Sequence, residues 1–344
     1  MLTSDFDYDL PDHLIAQHPA PRGESRMMVI AGNAPPQHRR IVDLPDLLER
    51  GDLLVVNDTR VIPARLTAKR HGTGGVVEVF LVEKTGEREW LCLTKPGRKT
   101  PPGQRLDLAP GLSAEVVEPR GDGKRLVRFS EPLEPHLDEL GTVPLPPYIK
   151  RPAEPRDHRE YQTIFAERPG AIAAPTAGLH FTDELVERLA ELGVEIARLT
   201  LYVGVGTFKP VTAELVHEHR MDRERYEIPA ATVERLLATR RRGGRIVAVG
   251  TTVVRTLEGA AASHGWPLPE GPGSTDLFIR PGHRFRVVEG LLTNFHLPRS
   301  TLLMLVAAFV GRERILDAYR EAIAAGYRFF SYGDAMLLLP AAAR

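Results

Sequence analysis

Thr293, Asn294, His296, Arg299, Ser300 and Thr301 crowd one short stretch near the end of the chain. Hydroxyl, amide, imidazole and guanidinium groups at that density suit recognition of a polar ligand and movement of protons. A histidine with a pKa near ~6.5 takes either proton-transfer role at neutral pH, contributing roughly 10²–10⁴-fold. The apolar run 302–310 that follows must be a buried helix or strand. Side chains alternate along a strand, so Thr293, Asn294 and His296 do not all face one way in extended chain. Either the strand has ended at Asn294, or only part of the set points into a site.

Similar polar clusters recur where other strands should end. APTAGLHF brings Thr176, Gly178 and His180 just ahead of a helix start, and YVGVGTF puts Gly204 and Gly206 after a strand. In VGTTVVRTLE the order is strand, glycine, Thr251 and Thr252, then a helix carrying Arg255. Free helical N–H groups there suit a carboxylate or phosphate. YGDAM sets Asp334 after an aromatic run, a further carboxylate candidate, and Asn57–Arg60 form either an Asx-type turn or a polar loop at a cleft. A Gly-Thr turn before a helix is usually only a cap, but the recurrence favours one shared cleft. No phosphate-loop or dinucleotide signature is present, and His217 and His219, two apart, lack metal-site spacing, so no metal is expected.

The elements that position these groups follow from pattern. Asp183 and Glu184 after Thr182 mark a capped helix, ended by Gly193. Further helices are expected over 231–242, from Thr251, and over 298–310 and 312–325, alternating with strands at 52–57, 194–203 and 245–250. Ligands gather at the carboxyl ends of strands in such α/β folds. Between 67 and about 148 short strand-like runs separated by Gly and Pro replace this alternation. The expected fold is α/β, with a main domain of mainly parallel strands (1–66 and 151–344), as a sheet or a barrel, and an inserted small all-β barrel or sandwich (67–150). The proline-rich 143–152 returns the chain to the main body.

Composition narrows the class. The chain has 344 residues, 42% of them hydrophobic, with 45 Lys plus Arg against 45 Asp plus Glu. A neutral total leaves any nucleic-acid partner to a local patch. Arg240, Arg241 and Arg242 are one candidate patch, or simply cations suited to a helix C-terminus, and Lys150 is another phosphate contact. Cys92 is the sole cysteine and reads as a core residue. Without a signal-like start or a span of ~20 apolar residues, a cytoplasmic protein not engaging membranes is expected, as a monomer.

The runs NDTRVIPARL, PLPPYI, YQTIFAERPGAIAAPTAGLHF, VGVGTFKPV, VAVGTTVVRTLE, LLTNFHLPRSTLLMLVAAFVG and YRFFSYGDAM resemble the S-adenosylmethionine:tRNA ribosyltransferase-isomerases of queuosine biosynthesis. The resemblance runs from DFDYDLP to the last aromatic run, and it implies a barrel-like main domain with a small β-barrel inserted. It implies transfer and isomerisation of the ribosyl part of S-adenosylmethionine onto 7-aminomethyl-7-deazaguanine at the tRNA wobble position, giving epoxyqueuosine-tRNA, adenine and methionine. S-adenosylmethionine is then a co-substrate, with no prosthetic group. The chain departs from the family where Tyr202 and Asp222 replace common histidines. That moves acid–base candidacy to His180 and His296, less strongly to His219, with Asp276 and Asp334 as the carboxylate options. Thr176, Gly178, Gly204, Gly206, Thr251, Thr252, Arg255, Thr293 and Asn294 are the expected S-adenosylmethionine contacts. A barrel enzyme acting on a free phosphosugar or nucleotide, and a non-catalytic RNA-binding module, are the rival readings.

Overall fold

Leu53–Val56 has no polar alternation, and the strand it builds, Leu53–Asn57, is buried on both faces. Leu53 and Val55 enter the apolar core on one side of the sheet, Leu54 and Val56 the core on the other. A computed structural model describes residues 1–204, 206 and 211–339, so Val205 and 207–210 of the VGVGTFKPV run lie outside the described residues.

Nine strands form the main sheet, in the order Gly271–Thr275, Glu224–Ile228, Glu195–Leu201, Leu53–Asn57, Ile246–Val249, Gly290–Asn294, Ala335–Leu339, Arg26–Ala31, Gln37–Arg40. The four central strands, Glu195–Leu201 through Gly290–Asn294, are parallel to one another. Arg26–Ala31 also runs parallel to Ala335–Leu339, but the remaining neighbours are antiparallel. The expectation of mainly parallel, barrel-like strands therefore holds only at the centre, and the sheet is mixed. A physical cause is visible after Gly290–Asn294. Two helices, Thr301–Val310 and Arg312–Ala324, intervene instead of one, so the chain re-enters the sheet from the opposite end.

Helix boundaries follow local chemistry. Thr182 Oγ1 accepts from Leu185 N at 3.2 Å to start Asp183–Leu192, and Gly193, at φ +85°, ends it. Ser300 Oγ accepts from Leu303 N at 3.2 Å to start Thr301–Val310. Helix Thr251–His264 instead begins at Gly250 (φ +95°), with no side-chain cap.

A second sheet closes on itself. Its order is Arg65–Arg70, Val76–Lys84, Glu89–Lys95, Lys124–Phe129, Leu112–Arg120, Arg105–Ala109, and the last pairs back onto the first. Every pairing is antiparallel. Val77, Val79, Trp90, Val116 and Val127 fill the interior beside Cys92, whose thiol burial pushes well above its usual range. The chain then returns through 143–152. Gln17 holds that segment by bonding Tyr148 O (3.0 Å) and Lys150 N (2.7 Å). Asp157 takes Arg151 bidentately at 2.7 and 2.8 Å and accepts from Tyr332 Oη at 2.9 Å. Among the described residues no helix is long and apolar enough to cross a membrane.

Candidate active site

Three of the four central parallel strands, all but Leu53–Asn57, end at one cleft of about 290 Å³. Thr176 comes to it from the turn Thr176–His180. Thr251 and Thr252 come from the uncapped helix start, and Thr293, Asn294 and His296 from the end of Gly290–Asn294. The volume sits near the lower end of small-molecule sites, roughly 300–1,000 Å³. Three of the polar segments singled out in the sequence are thus brought to one place.

Alternation splits the polar triplet as the pleat requires. Thr293 Oγ1 lies 2.9 Å from His296 Nε2, whereas Asn294 reaches His180 and Thr176. His296 is further fixed through its backbone, its N donating to Tyr319 Oη at 2.9 Å and its O accepting from Tyr8 Oη. Nδ1 of His296 has no hydrogen-bond partner among the described residues. Burial lowers this imidazole to about 3, so it is neutral at pH 7.

His180 lies behind the cleft and does not line it. Thr176 Oγ1 donates to Asn294 Oδ1 (3.0 Å), which leaves Asn294 Nδ2 to donate to His180 Nε2 (3.1 Å). The ring proton then belongs on Nδ1, donating to Ser25 Oγ at 2.9 Å. Burial lowers His180 to about 4; the Asp334 charge opposes that and Arg328 adds to it. Both ring nitrogens being engaged, His180 orients the Asn294 amide.

Other expected residues are placed differently. Asp334 accepts from the backbone N of Arg26 (3.0 Å) and of Arg328 (2.8 Å) and from the Arg26 guanidinium, away from the cleft lining. A Cβ at Gly178 would stand 2.8 Å from Thr163 Cγ2, so that glycine serves packing. Gly204 and Gly206 line a neighbouring, larger cleft of about 1030 Å³ between the closed barrel and the sheet edge. Tyr202 and Asp222 line it too, and Val203 borders both clefts. Arg255 is buried and paired with Glu224, whose carboxyl is raised because desolvation outweighs the arginine. Arg255 Nε and Nη2 are buried without hydrogen-bond partners among the described residues.

Little of the basic cluster is free. Arg240 stacks 4.0 Å from the Trp266 ring centroid and bonds Arg286 O, and Arg242 bonds Gly51 O (2.8 Å) and Glu195 (2.7 Å). Arg241 is exposed, with no hydrogen-bond or ion-pair partner among the described residues, and Lys150 pairs with Asp12 at the surface. At Asn57 the Asx turn is present, Thr59 N donating to Asn57 Oδ1 at 3.1 Å; its amide also reaches Thr252 Oγ1 at 3.4 Å. Sequence reasoning missed Tyr148, Tyr161, Phe330 and Ser331 in the lining, and Ser25 behind it. The aromatic run before Asp334 was the available signal for Phe330.

A family model described as "Queuosine biosynthesis protein" matches residues 3–338. The chain is 57% identical over 345 residues to an S-adenosylmethionine:tRNA ribosyltransferase-isomerase of Gloeobacter violaceus, covering 99% of this chain and 97% of that one. A Thermus thermophilus protein of the same name is 54% identical, with 97% and 98% covered. The crystal structure of an S-adenosylmethionine tRNA ribosyltransferase from Thermotoga maritima superimposes with a TM-score of 0.55 at 42% identity, covering 98% of this chain and 100% of that one.

Proposed function

Because this chain belongs to the queuosine biosynthesis protein family, we propose that it is an S-adenosylmethionine:tRNA ribosyltransferase-isomerase. It moves the ribosyl part of S-adenosylmethionine onto the aminomethyl group of 7-aminomethyl-7-deazaguanine at the tRNA wobble position. The products are epoxyqueuosine-tRNA, adenine and methionine. The observation that carries this reading is the meeting of Thr176, Thr251–Thr252 and Thr293–His296 in one small cleft beside a larger one.

In this reading S-adenosylmethionine occupies the small cleft. Its carboxylate lies at the uncapped N–H groups of Thr251 and Thr252, where the helix dipole favours negative charge. The sulfonium acidifies its neighbouring C5′ carbon, and His296, neutral through burial, is the group that takes a proton there. A substrate carboxylate nearby raises that imidazole toward the range where proton transfer is efficient. Asn294, held by Thr176 and His180, presents a fixed amide edge. His180 and Asp334 are positioning residues here. The larger cleft takes the RNA nucleotide, with exposed Arg60 on its rim and Val203 at the passage between clefts. Exposed Arg241 adds a phosphate contact farther out. The main body comprises 1–66 and 151–344, with 67–150 inserted, and the enzyme acts in the cytoplasm as a monomer.

Adenine release is the direct test. Incubation with S-adenosylmethionine and tRNA carrying the modified base should liberate adenine only when that tRNA is present. Turnover without RNA would point to a free nucleotide substrate, and salt-sensitive RNA binding without turnover to a binding module. His296→Ala should keep the fold and lower turnover at least about a hundredfold. A near-normal rate would remove His296 from the chemistry.

A further inference from the structure

Not all of the small cleft is polar. Tyr148 and Phe330 also line it, with ring centroids 4.8 Å apart and planes inclined at 51°. Backbone strain marks the same place. Among the described residues, Asp122, Arg299 and Phe330 are the non-glycine positions with positive φ, at 60°, 54° and 70°. Asp122 sits in a barrel hairpin, whereas Arg299 and Phe330 both line this cleft. A bulky aromatic persists in left-handed backbone only where its surroundings enforce it.

Those surroundings are visible. Phe330 N donates to Phe295 O at 3.1 Å, and Gly333 N donates to Phe330 O at 2.9 Å. Phe329 is tied to Leu14 and Ala16 by backbone bonds of 2.8 and 3.3 Å. Asp334 closes the loop, its carboxylate accepting from Arg328 N and its own N donating to Arg328 O, each at 2.8 Å. Tyr148 is fixed from the other direction, its hydroxyl 2.6 Å from Ser331 Oγ and its carbonyl bonded to Gln17. The chain thus bears local strain to hold two aromatic faces beside a cleft whose remaining groups suit a carboxylate and a hydroxyl-bearing sugar.

We infer that Tyr148 and Phe330 form the wall on which the adenine ring stacks, both when S-adenosylmethionine binds and while adenine departs. This rests on the function proposed above. A purine offers a flat, sequence-tolerant π-face to an aromatic side chain, whereas the sulfonium would use such a ring through its positive charge. S-adenosylhomocysteine separates the two, since it keeps adenine and lacks the cation.

Calorimetric titration of wild type, Phe330→Leu, Tyr148→Leu and Phe330→Tyr with both ligands tests this. Each leucine variant should bind both ligands about 10-fold more weakly, and Phe330→Tyr should bind as wild type does. Inhibition of turnover by free adenine should weaken in parallel. Unchanged S-adenosylhomocysteine affinity in both leucine variants would overturn the wall. So would a loss confined to S-adenosylmethionine, which would assign the rings to the sulfonium. If the leucine variants do not fold, the adenine H2 and H8 resonances of ligand bound to wild type decide. Ring currents should move them upfield, and unshifted resonances would overturn the inference. Wild-type protein that binds neither ligand would sink the functional reading itself, and the wall with it.

Discussion

An imidazolium at His180 or His296 would give up its hydration with no carboxylate in contact to replace it, which holds the two rings at about 4 and about 3. Both groups ionise more readily in the unfolded chain, near ~6.5. Below that value the unfolded state binds more protons, so the stability these rings permit is complete above pH ~6.5 and is lost as pH falls toward 4 and 3. Between pH 7 and pH 5 each ring should account for a loss on the order of 2 kcal/mol. Urea unfolding at the two pH values measures it, and His296→Gln should shrink the difference by about one ring's share. A pH-independent midpoint would mean that these histidines are hydrated or paired. Sequence showed which residues were able to exchange protons. It did not show which of them meets solvent or ligand, because His180 is enclosed by Ser25, 155 positions away in the chain, and by Asn294, 114 away.

Helix starts are the elements that build the cleft, and they were legible to different degrees: Thr182 was read as a cap, whereas the helix that Ser300 starts was expected from 298. Thr182 and Ser300 cap through the same bond at the same 3.2 Å, as hydroxyl residues ahead of an apolar stripe. Only Ser300 lines the cleft. Thr182→Ala and Ser300→Ala should therefore each cost about 1 kcal/mol of stability, read by chemical denaturation, while only Ser300→Ala raises KM for S-adenosylmethionine. Equal kinetic effects would mean that stability, not placement, governs the site. Strand direction was less legible than strand position. Leu53–Asn57 and Gly290–Asn294 announce themselves by composition. The antiparallel return of Ala335–Leu339 depends on two helices meeting at Gly311 (φ +92°), a long-range consequence that no local period encodes.

At the scale of the whole molecule, the closed barrel surrounds one core and the nine-stranded sheet lies between two others. Only the change of texture near residue 67 announced this in the sequence; how the chain is tied down on its return was not readable. The return segment is anchored by Arg151, Asp157 and Tyr332, with Asp157 fully buried. Removing the carboxylate takes the bidentate partner from a mostly buried arginine and leaves it the Glu154 carboxylate at 3.8 Å and the carbonyls of Gln17 and Pro152; breaking such a buried pair costs ~3–5 kcal/mol. Chance supplies one reporter for each body, Trp90 inside the barrel and Trp266 beneath Arg240 on the main sheet side. In a Trp266→Phe background, emission follows the barrel alone, while the unaltered helices follow the main body by circular dichroism. Asp157→Ala should lower the helical transition by roughly 6–20 °C and leave the Trp90 transition in place. It should also raise KM for S-adenosylmethionine, because Tyr148 rides on the released segment and loses its fixed contact with Ser331. If the Trp90 and helical transitions fall together, the barrel and the sheet unfold as one cooperative unit, and the insertion has no stability of its own.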